Sequence, residues 1–224
     1  MQGMPIRAIL FDVYGTLLDV HSAIAREGKE LGARADAVSR LWRQKQLEYT
    51  WVWSLRGEYR SFQTLTESAL DYALAAHGVD SSALKARLLS AYRQLDAFPD
   101  VAAALADLRQ RGLRLAALSN GDPDMLEAGL QSAGLRNALD AVLSVAPLRI
   151  FKPDRRVYEL GRSWANAPAQ EIAFVSANAW DAGGAAAFGF RTSWIDRAGQ
   201  PPEYDLPRHA TVVARLGEIA AHLS

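Results

Sequence analysis

Short apolar runs that alternate with helical patterns predict an α/β fold built on a doubly wound parallel sheet. A block of helical patterns after the first run predicts a cap inserted into it. The first run is Arg7–Val13 (RAILFDV), which ends in a carboxylate and is followed by Tyr14-Gly15-Thr16. A run of this length closed by a turn reads as a strand buried on both faces. Leu113–Leu118, Ala141–Val145, Ile172–Ser176 and Arg191–Ile195 repeat it, and Thr211–Val213 adds a last short strand. Between the runs, Pro99–Arg111 sets Val101, Leu105 and Leu108 on one helical face and stops at Gly112. Asp154–Trp164 repeats that pattern through Val157, Leu160 and Trp164.

Residues 19–97 break the alternation. Asp36–Arg56, Ser61–His77 and Ser81–Ala97 read as helices with no strand-like run among them. In the longest, Leu41, Lys45, Leu47, Trp51 and Leu55 lie near one side. The expected division is an α/β core from residues 1–18 and 98–224 and a helical cap from 19–97, with Phe98-Pro99-Asp100 as the return point.

Composition narrows the function. Among 224 residues, 25 Lys and Arg balance 25 Asp and Glu, so the net charge is zero and the basic excess of a nucleic-acid binder is missing. There is no cysteine, hence no disulfide framework and no thiolate. The four histidines (His21, His77, His209, His222) are scattered, with no two at metal-ligand spacing. No apolar run reaches the length of about 18 residues that spans a bilayer. Met1–Arg7 has no signal-peptide hydrophobic region, so a cytoplasmic location is the default expectation.

In an open parallel sheet, ligands bind beyond the carboxyl ends of the strands. Those ends carry Asp12-Val13-Tyr14-Gly15-Thr16, Ser119-Asn120-Gly121, Phe151-Lys152-Pro153 and Ser176-Ala177-Asn178-Ala179-Trp180-Asp181. A carboxylate nucleophile candidate, hydroxyls, an ammonium and a second carboxylate thus converge on one edge. Taken alone, each has an ordinary structural use: a turn carboxylate, a helix cap, a solvated lysine. The ordered combination at successive strand ends is what points to chemistry. Lys152 adds weight, being one of 4 lysines against 21 arginines.

The ordered set DVYGT, SNG, KP and SANAWD resembles the haloacid dehalogenase superfamily along the whole chain. That resemblance implies an α/β core with an inserted cap and a nucleophilic first aspartate. Phosphatase-type members carry a second aspartate two residues on and paired acidic residues in the last motif, which hold magnesium. Here Tyr14 and Ser176 stand at two of those places, and the phosphatase general acid is missing as well. These departures resemble the (S)-2-haloacid dehalogenase branch. So does the cap segment LWRQKQLEYTW (41–51), although Phe151 and Ala177 stand where tyrosine and serine are common.

The resemblance implies a metal-independent and cofactor-free hydrolysis of short (S)-2-haloacids to (R)-2-hydroxyacids through an ester on Asp12. Thr16 would donate to Asp12, and Lys152, oriented by Tyr158, would offset its charge. Arg43 would accept the departing halide, with help from Asn120. Ser119 and the amides near Val13 and Tyr14 would hold the substrate carboxylate. Ser176, Asn178 and Asp181 would position water, with Asp181 as base. Tyr14, Gln44, Leu47, Phe62 and Trp180 would line the pocket. The expected partner is a small-molecule 2-haloacid, with no nucleic acid and no membrane, and a homodimer is the assembly common among such enzymes. A phosphomonoesterase and a catalytically inert binding protein on the same fold remain the alternatives. A serine hydrolase is disfavoured, because no G-x-S-x-G is present.

Overall fold

The computed structural model describes residues 5–223. Met1–Met4, the start of the N-terminal segment and of the expected core, and Ser224 at its end lie outside the described residues. In chain order the strands are β1 (Ala8–Phe11), β2 (Leu18–Asp19), β3 (Asp96–Ala97), β4 (Arg114–Ser119), β5 (Ala141–Ser144), β6 (Ile172–Ser176), β7 (Arg191–Ile195) and β8 (Ala210–Val213). The helices are α1 (Ser22–Glu27), α2 (Ala35–Leu55), α3 (Phe62–Ala76), α4 (Ser82–Tyr92), α5 (Val101–Gln110), α6 (Pro123–Ser132), α7 (Arg155–Ala165), α8 (Ala179–Phe188) and α9 (Leu206–His209).

The main sheet runs in the order β5-β4-β1-β6-β7-β8, with every pairing parallel. β1 and β6 are buried along their whole length, as strands covered by helices on both faces must be. The chain leaves β1 toward β4 on one side and β6 on the other. The crevice beyond the carboxyl end of β1 is therefore a switch point of the winding, where such sheets place ligands.

β2 and β3 form a separate antiparallel pair, Leu18 opposite Ala97 and Asp19 opposite Asp96, across the two crossings into and out of the helical block. The sequence pattern carries a helix through residue 97. The helix in fact ends at Tyr92, because Asp96 and Ala97 supply the partner that the backbone of Leu18 and Asp19 needs. α1 and α6 were not read from the sequence; α6 follows the Ser119-Asn120-Gly121 turn and starts with Pro123 at a first-turn position.

α2 also turns a different face inward from the one its leucines suggest. Its buried residues are Val38, Ser39, Trp42, Gln46 and Thr50, at near-fourfold spacing, while Leu55 is 87% exposed. Trp42 Nε1 donates to the Thr66 carbonyl of α3 at 2.9 Å, which satisfies the buried indole.

The helical block is fastened to the sheet edge at Asp122, in the turn after β4. Its Oδ1 accepts the Phe62 N–H at 3.2 Å and its Oδ2 accepts the Gln63 N–H at 2.8 Å. These are first-turn donors of α3 with no partner inside the helix, and the carboxylate also complements the positive end of the helix. Asp122→Ala should lower the unfolding free energy by about 1–2 kcal/mol, the usual cost of a lost helix cap. Asp122→Asn, which keeps an acceptor oxygen, should recover part of it. Urea unfolding of the three proteins checks this; an Ala variant as stable as the parent would disprove the clamp.

Candidate active site

Asp12 directly follows β1, and its N–H continues the ladder to β6 by donating to the Val175 carbonyl at 2.9 Å. The chain then curls tightly, with the N–H groups of Leu17 and Leu18 both donating to the Val13 carbonyl. Gly15 sits at φ 89°, a left-handed conformation that suits glycine, and its N–H donates back to the Leu18 carbonyl. The curl returns the Thr16 hydroxyl to the carboxylate. Thr16 Oγ1 donates to Asp12 Oδ2 at 2.9 Å while accepting the Ala177 N–H at 2.8 Å, so the incoming donor fixes the direction of the hydroxyl.

The β6–α8 junction supplies the other donors to the same oxygen. Asn178 Nδ2 donates to Asp12 Oδ2 at 2.7 Å and to the Tyr14 carbonyl at 3.0 Å, which uses both amide protons. Ser176 Oγ lies 3.5 Å from the same Oδ2 and accepts the Asn178 N–H at 3.1 Å. Asp12 Oδ2 is thus crowded with donors. Among the described residues, Asp12 Oδ1 accepts from Lys152 Nζ alone, at 3.1 Å.

Lys152 arrives on the segment between β5 and α7, seated by Asn120, whose Oδ1 accepts the Lys152 N–H at 2.9 Å. Its ammonium lies between Asp12 and Asp181 Oδ2, the latter at 2.8 Å, with no exposure of the Lys152 or Asp181 side chains. Burial opposes the ammonium, but the two carboxylates outweigh it, and the Lys152 pKa stands above the ordinary lysine value. Burial outweighs the lowering by Lys152 and, with the Asp12 charge, holds Asp181 up at about 6. Tyr158 reaches Asp181 and not Lys152. Its hydroxyl donates to Asp181 Oδ1 at 2.9 Å, so any orienting of the lysine passes through the shared carboxylate. Burial and then the Asp181 charge raise the Tyr158 pKa well above the ordinary phenol value, which keeps it a donor.

The helical block brings Arg43 to this edge. Its Nη2 donates to the Tyr14 carbonyl at 2.9 Å and to Asn178 Oδ1 at 3.3 Å, and its Nη1 donates to Gln46 Oε1 at 2.8 Å. All three acceptors are neutral. The Tyr14 ring packs in an aromatic cluster, 5.2 Å from Phe62 and 5.6 Å from Tyr92 between centroids. Ser119 is fully buried, with its Oγ accepting the Gly121 N–H at 3.2 Å, and Val13, two residues after β1, is fully buried as well. Trp180 meets Trp51 of α2 edge-on at 5.4 Å. Those two tryptophans, with Ile150, Lys152 and Pro153, border a cavity of about 660 Å³ at the seam between α2 and α8; neither Asp12 nor Arg43 lines it. Leu47 is half-buried one turn after Arg43, and Gln44 is exposed.

The structure therefore gathers Asp12, Thr16, Lys152, Tyr158, Ser176, Asn178 and Asp181 into one hydrogen-bonded cluster, with Arg43 joined through Asn178. Asn120 supports Lys152 through the backbone. Phe62 and Tyr14 pack ring against ring, and Gln44 is exposed. Sequence reasoning missed Gln46, Thr66, Tyr92 and Asp122. The signal for Gln46 was the spacing Val38, Trp42, Gln46, Thr50, which marks a buried stripe with polar members. Among the described residues no group of three or more His, Asp or Glu is arranged to hold a metal ion, and no helix is long and apolar enough to cross a membrane.

The sequence model of the haloacid dehalogenase-like hydrolases matches residues 6–189. The chain is 47% identical over 215 residues to (S)-2-haloacid dehalogenase 4A of Burkholderia cepacia, covering 96% of this chain and 93% of that protein. A solved structure of a dehalogenase with an intermediate complex superposes with a TM-score of 0.94 at 45% identity, covering 97% of each chain. The L-2-haloacid dehalogenase of Xanthobacter autotrophicus with chloropropionic acid covalently bound superposes with a TM-score of 0.89 at 35% identity, covering 96% of this chain and 97% of that one.

Removing the central cation tests the cluster. Lys152→Met leaves two buried carboxylates without a partner, which should cost about 3 kcal/mol or more at about pH 8. The sign with pH follows from Asp181. Without Lys152 its raised pKa moves further up, so as pH falls it takes up a proton and the charge conflict is relieved. The loss should be smaller at about pH 5 and grow as pH rises. Urea unfolding of parent and variant at both pH values measures it; an equal loss at both would contradict the arrangement.

Proposed function

Since this chain belongs to the haloacid dehalogenase-like hydrolases, we propose that it hydrolyses short (S)-2-haloacids to (R)-2-hydroxyacids through an ester on Asp12, without a metal ion. The observation that carries this reading is the asymmetry of Asp12: among the described residues, Oδ2 is surrounded by Thr16, Asn178 and Ser176, and Oδ1 meets only the Lys152 ammonium.

Oδ1 keeps a lone pair for attack on the halogen-bearing carbon, in line with the carbon–halogen bond. A carbon–oxygen bond forms, the carbon–halogen bond breaks, and halide leaves with the bonding pair. Arg43, with no carboxylate partner among the described residues, receives the charge that develops on the halide. Oδ2 then becomes the carbonyl oxygen of the ester. Water attacks the carbonyl carbon, and negative charge collects on Oδ2, where three donors already stand. Such pre-placed donors stabilise the tetrahedral state without reorganisation. Asp181 takes the proton from that water, and its value of about 6 leaves it ionised at neutral pH. Collapse breaks the bond between the carbonyl carbon and the ester oxygen. The departing alkoxide takes the proton held by Asp181 and leaves as the hydroxyacid, inverted at the reacting carbon, and the new carboxyl group gives its proton to solvent to regenerate the carboxylate.

Residues 19–97 act as a cap that carries Arg43 to the core and, with Tyr14, Phe62 and Trp180, excludes water from the reacting carbon. The substrate carboxylate takes Ser119 and the amides after β1. We assign the protein to the cytoplasm and to a homodimer on the same reading. A phosphatase reading lacks its second aspartate, because Tyr14 occupies that place and turns into the aromatic cluster.

The ester step is tested by one turnover of (S)-2-chloropropionate in H₂¹⁸O, with enzyme and EDTA in excess. The hydroxyacid should be unlabelled and the peptide containing Asp12 labelled. Label in the first-turnover product with none in that peptide would exclude the ester, and no halide release in EDTA would exclude metal independence.

Arg43→Ala tests the leaving-group site. It should lower kcat by about 100-fold or more, the scale of a lost charge-stabilising donor, with the fold retained. Steady-state halide release gives the answer; near-normal turnover would place Arg43 outside the chemistry.

A further inference from the structure

Behind Arg43, away from Asp12, lies a buried polar network inside the helical block. Gln46 is 1% exposed, Thr66 2% and Tyr92 3%. Buried polar groups are costly unless fully paired, so a network held inside an otherwise apolar bundle calls for a reason.

Its hydrogen bonds run in one direction. The Thr66 hydroxyl donates to the Phe62 carbonyl at 2.7 Å, which leaves Thr66 Oγ1 as an acceptor. Gln46 Nε2 donates to that oxygen at 2.6 Å and to the Tyr92 hydroxyl at 3.0 Å. The amide nitrogen is thereby committed to Thr66, and Gln46 Oε1 must face the other way. There it accepts from Arg43 Nη1 at 2.8 Å, with the Tyr92 hydroxyl 3.1 Å from the same oxygen. The hydroxyl proton of Thr66 thus decides which end of the Gln46 amide meets the guanidinium. Tyr92 in turn packs between Trp42, at 5.0 Å, and Tyr14, at 5.6 Å, so the network is wedged against the turn that follows the nucleophile.

We infer that Gln46, seated by Thr66 and Tyr92, is a positioning residue that aims the Arg43 guanidinium at the leaving-group site while leaving its charge uncompensated. The chemical point is the choice of acceptor. A carboxylate at this position would orient Arg43 equally well, but it would form a buried ion pair and cancel the charge needed by the halide. An amide supplies a directed acceptor and no charge. Gln46 touches no reacting atom and acts only through Arg43.

This inference rests on the proposed halide-accepting role of Arg43, and its test separates the two. The parent enzyme is assayed first for chloride release from (S)-2-chloropropionate and for inhibition by added sodium bromide. Absence of both sinks the functional reading itself. Given both, Gln46→Glu and Gln46→Met are compared by kcat, KM and bromide inhibition, with circular dichroism to monitor folding. Each should lower kcat by about tenfold or more with a much smaller change in KM, the mark of an interaction realised in the transition state. Bromide inhibition should weaken in both, and more in the Glu variant, which adds the opposing charge. Thr66→Val, which unseats the amide without touching Arg43, should show the same pattern more weakly, and it provides the measurement should a Gln46 variant fail to fold. Folded variants with parental kcat, or with reduced kcat but unchanged bromide inhibition, would overturn the inference.

Discussion

A fully buried lysine ammonium between two carboxylates is the constraint to which the rest of the site answers. Three ionised groups removed from water face a desolvation cost of several kcal/mol each, which well-packed apolar side chains would avoid. The arrangement holds because every polar atom is answered: Lys152 by Asp12 and Asp181, Asp181 also by Tyr158, and Asp12 also by Thr16 and Asn178. The trio draws together the ends of β1, the β5–α7 segment and the start of α8. Even the glycines bend to it. A side chain at Gly184 would run into the Tyr158 hydroxyl and Pro153, so α8 carries a glycine where the tyrosine must pass.

The helical block completes what the sheet begins. The core alone supplies the nucleophile, its donors and its cation. The block brings Arg43 to that edge, where its guanidinium meets only neutral acceptors among the described residues. The contacts that hold the two parts in register include Asp122 on the first turn of α3, Trp180 on Trp51, and the Tyr14 ring against Phe62 and Tyr92. Tyr14 therefore does two jobs. Its carbonyl joins Arg43 and Asn178 near the nucleophile, while its ring packs on Phe62 and Tyr92 of the block. Burial raises its phenol pKa well above the ordinary value, so it remains a neutral wall.

The same place in the chain shows how one fold is turned from one chemistry to another. Where a magnesium-dependent relative would present a second carboxylate, this protein presents an aromatic ring. Where such a relative would begin its last motif with an acid, it presents Ser176, whose hydroxyl faces Asp12. The positive charge at the centre is then Lys152, supplied by the protein itself and fixed on a buried tether. A nucleophile with one oxygen crowded by neutral donors and the other facing the Lys152 ammonium follows directly from that placement.

The strands and the polar residues at their ends were legible in the sequence because both are local signals. A buried parallel strand is a short apolar run, and a site at a strand end needs only the next few residues, as Asp12, Thr16, Asn178 and Asp181 show. The β2–β3 pair, the buried face of α2 and the partner of Tyr158 were not legible. Gln46 looks like any polar residue on a helix until Thr66 and Tyr92 close around it, 20 and 46 residues away. Arg43 meets Asn178 across 135 residues of chain, and no pattern in either segment announces the other. Periodicity and turn chemistry thus set the elements and put the reactive groups on one edge. Which groups touch, in which direction their protons point and which charge is left unpaired were decided by packing, because those properties belong to pairs of residues that meet only when the chain is folded.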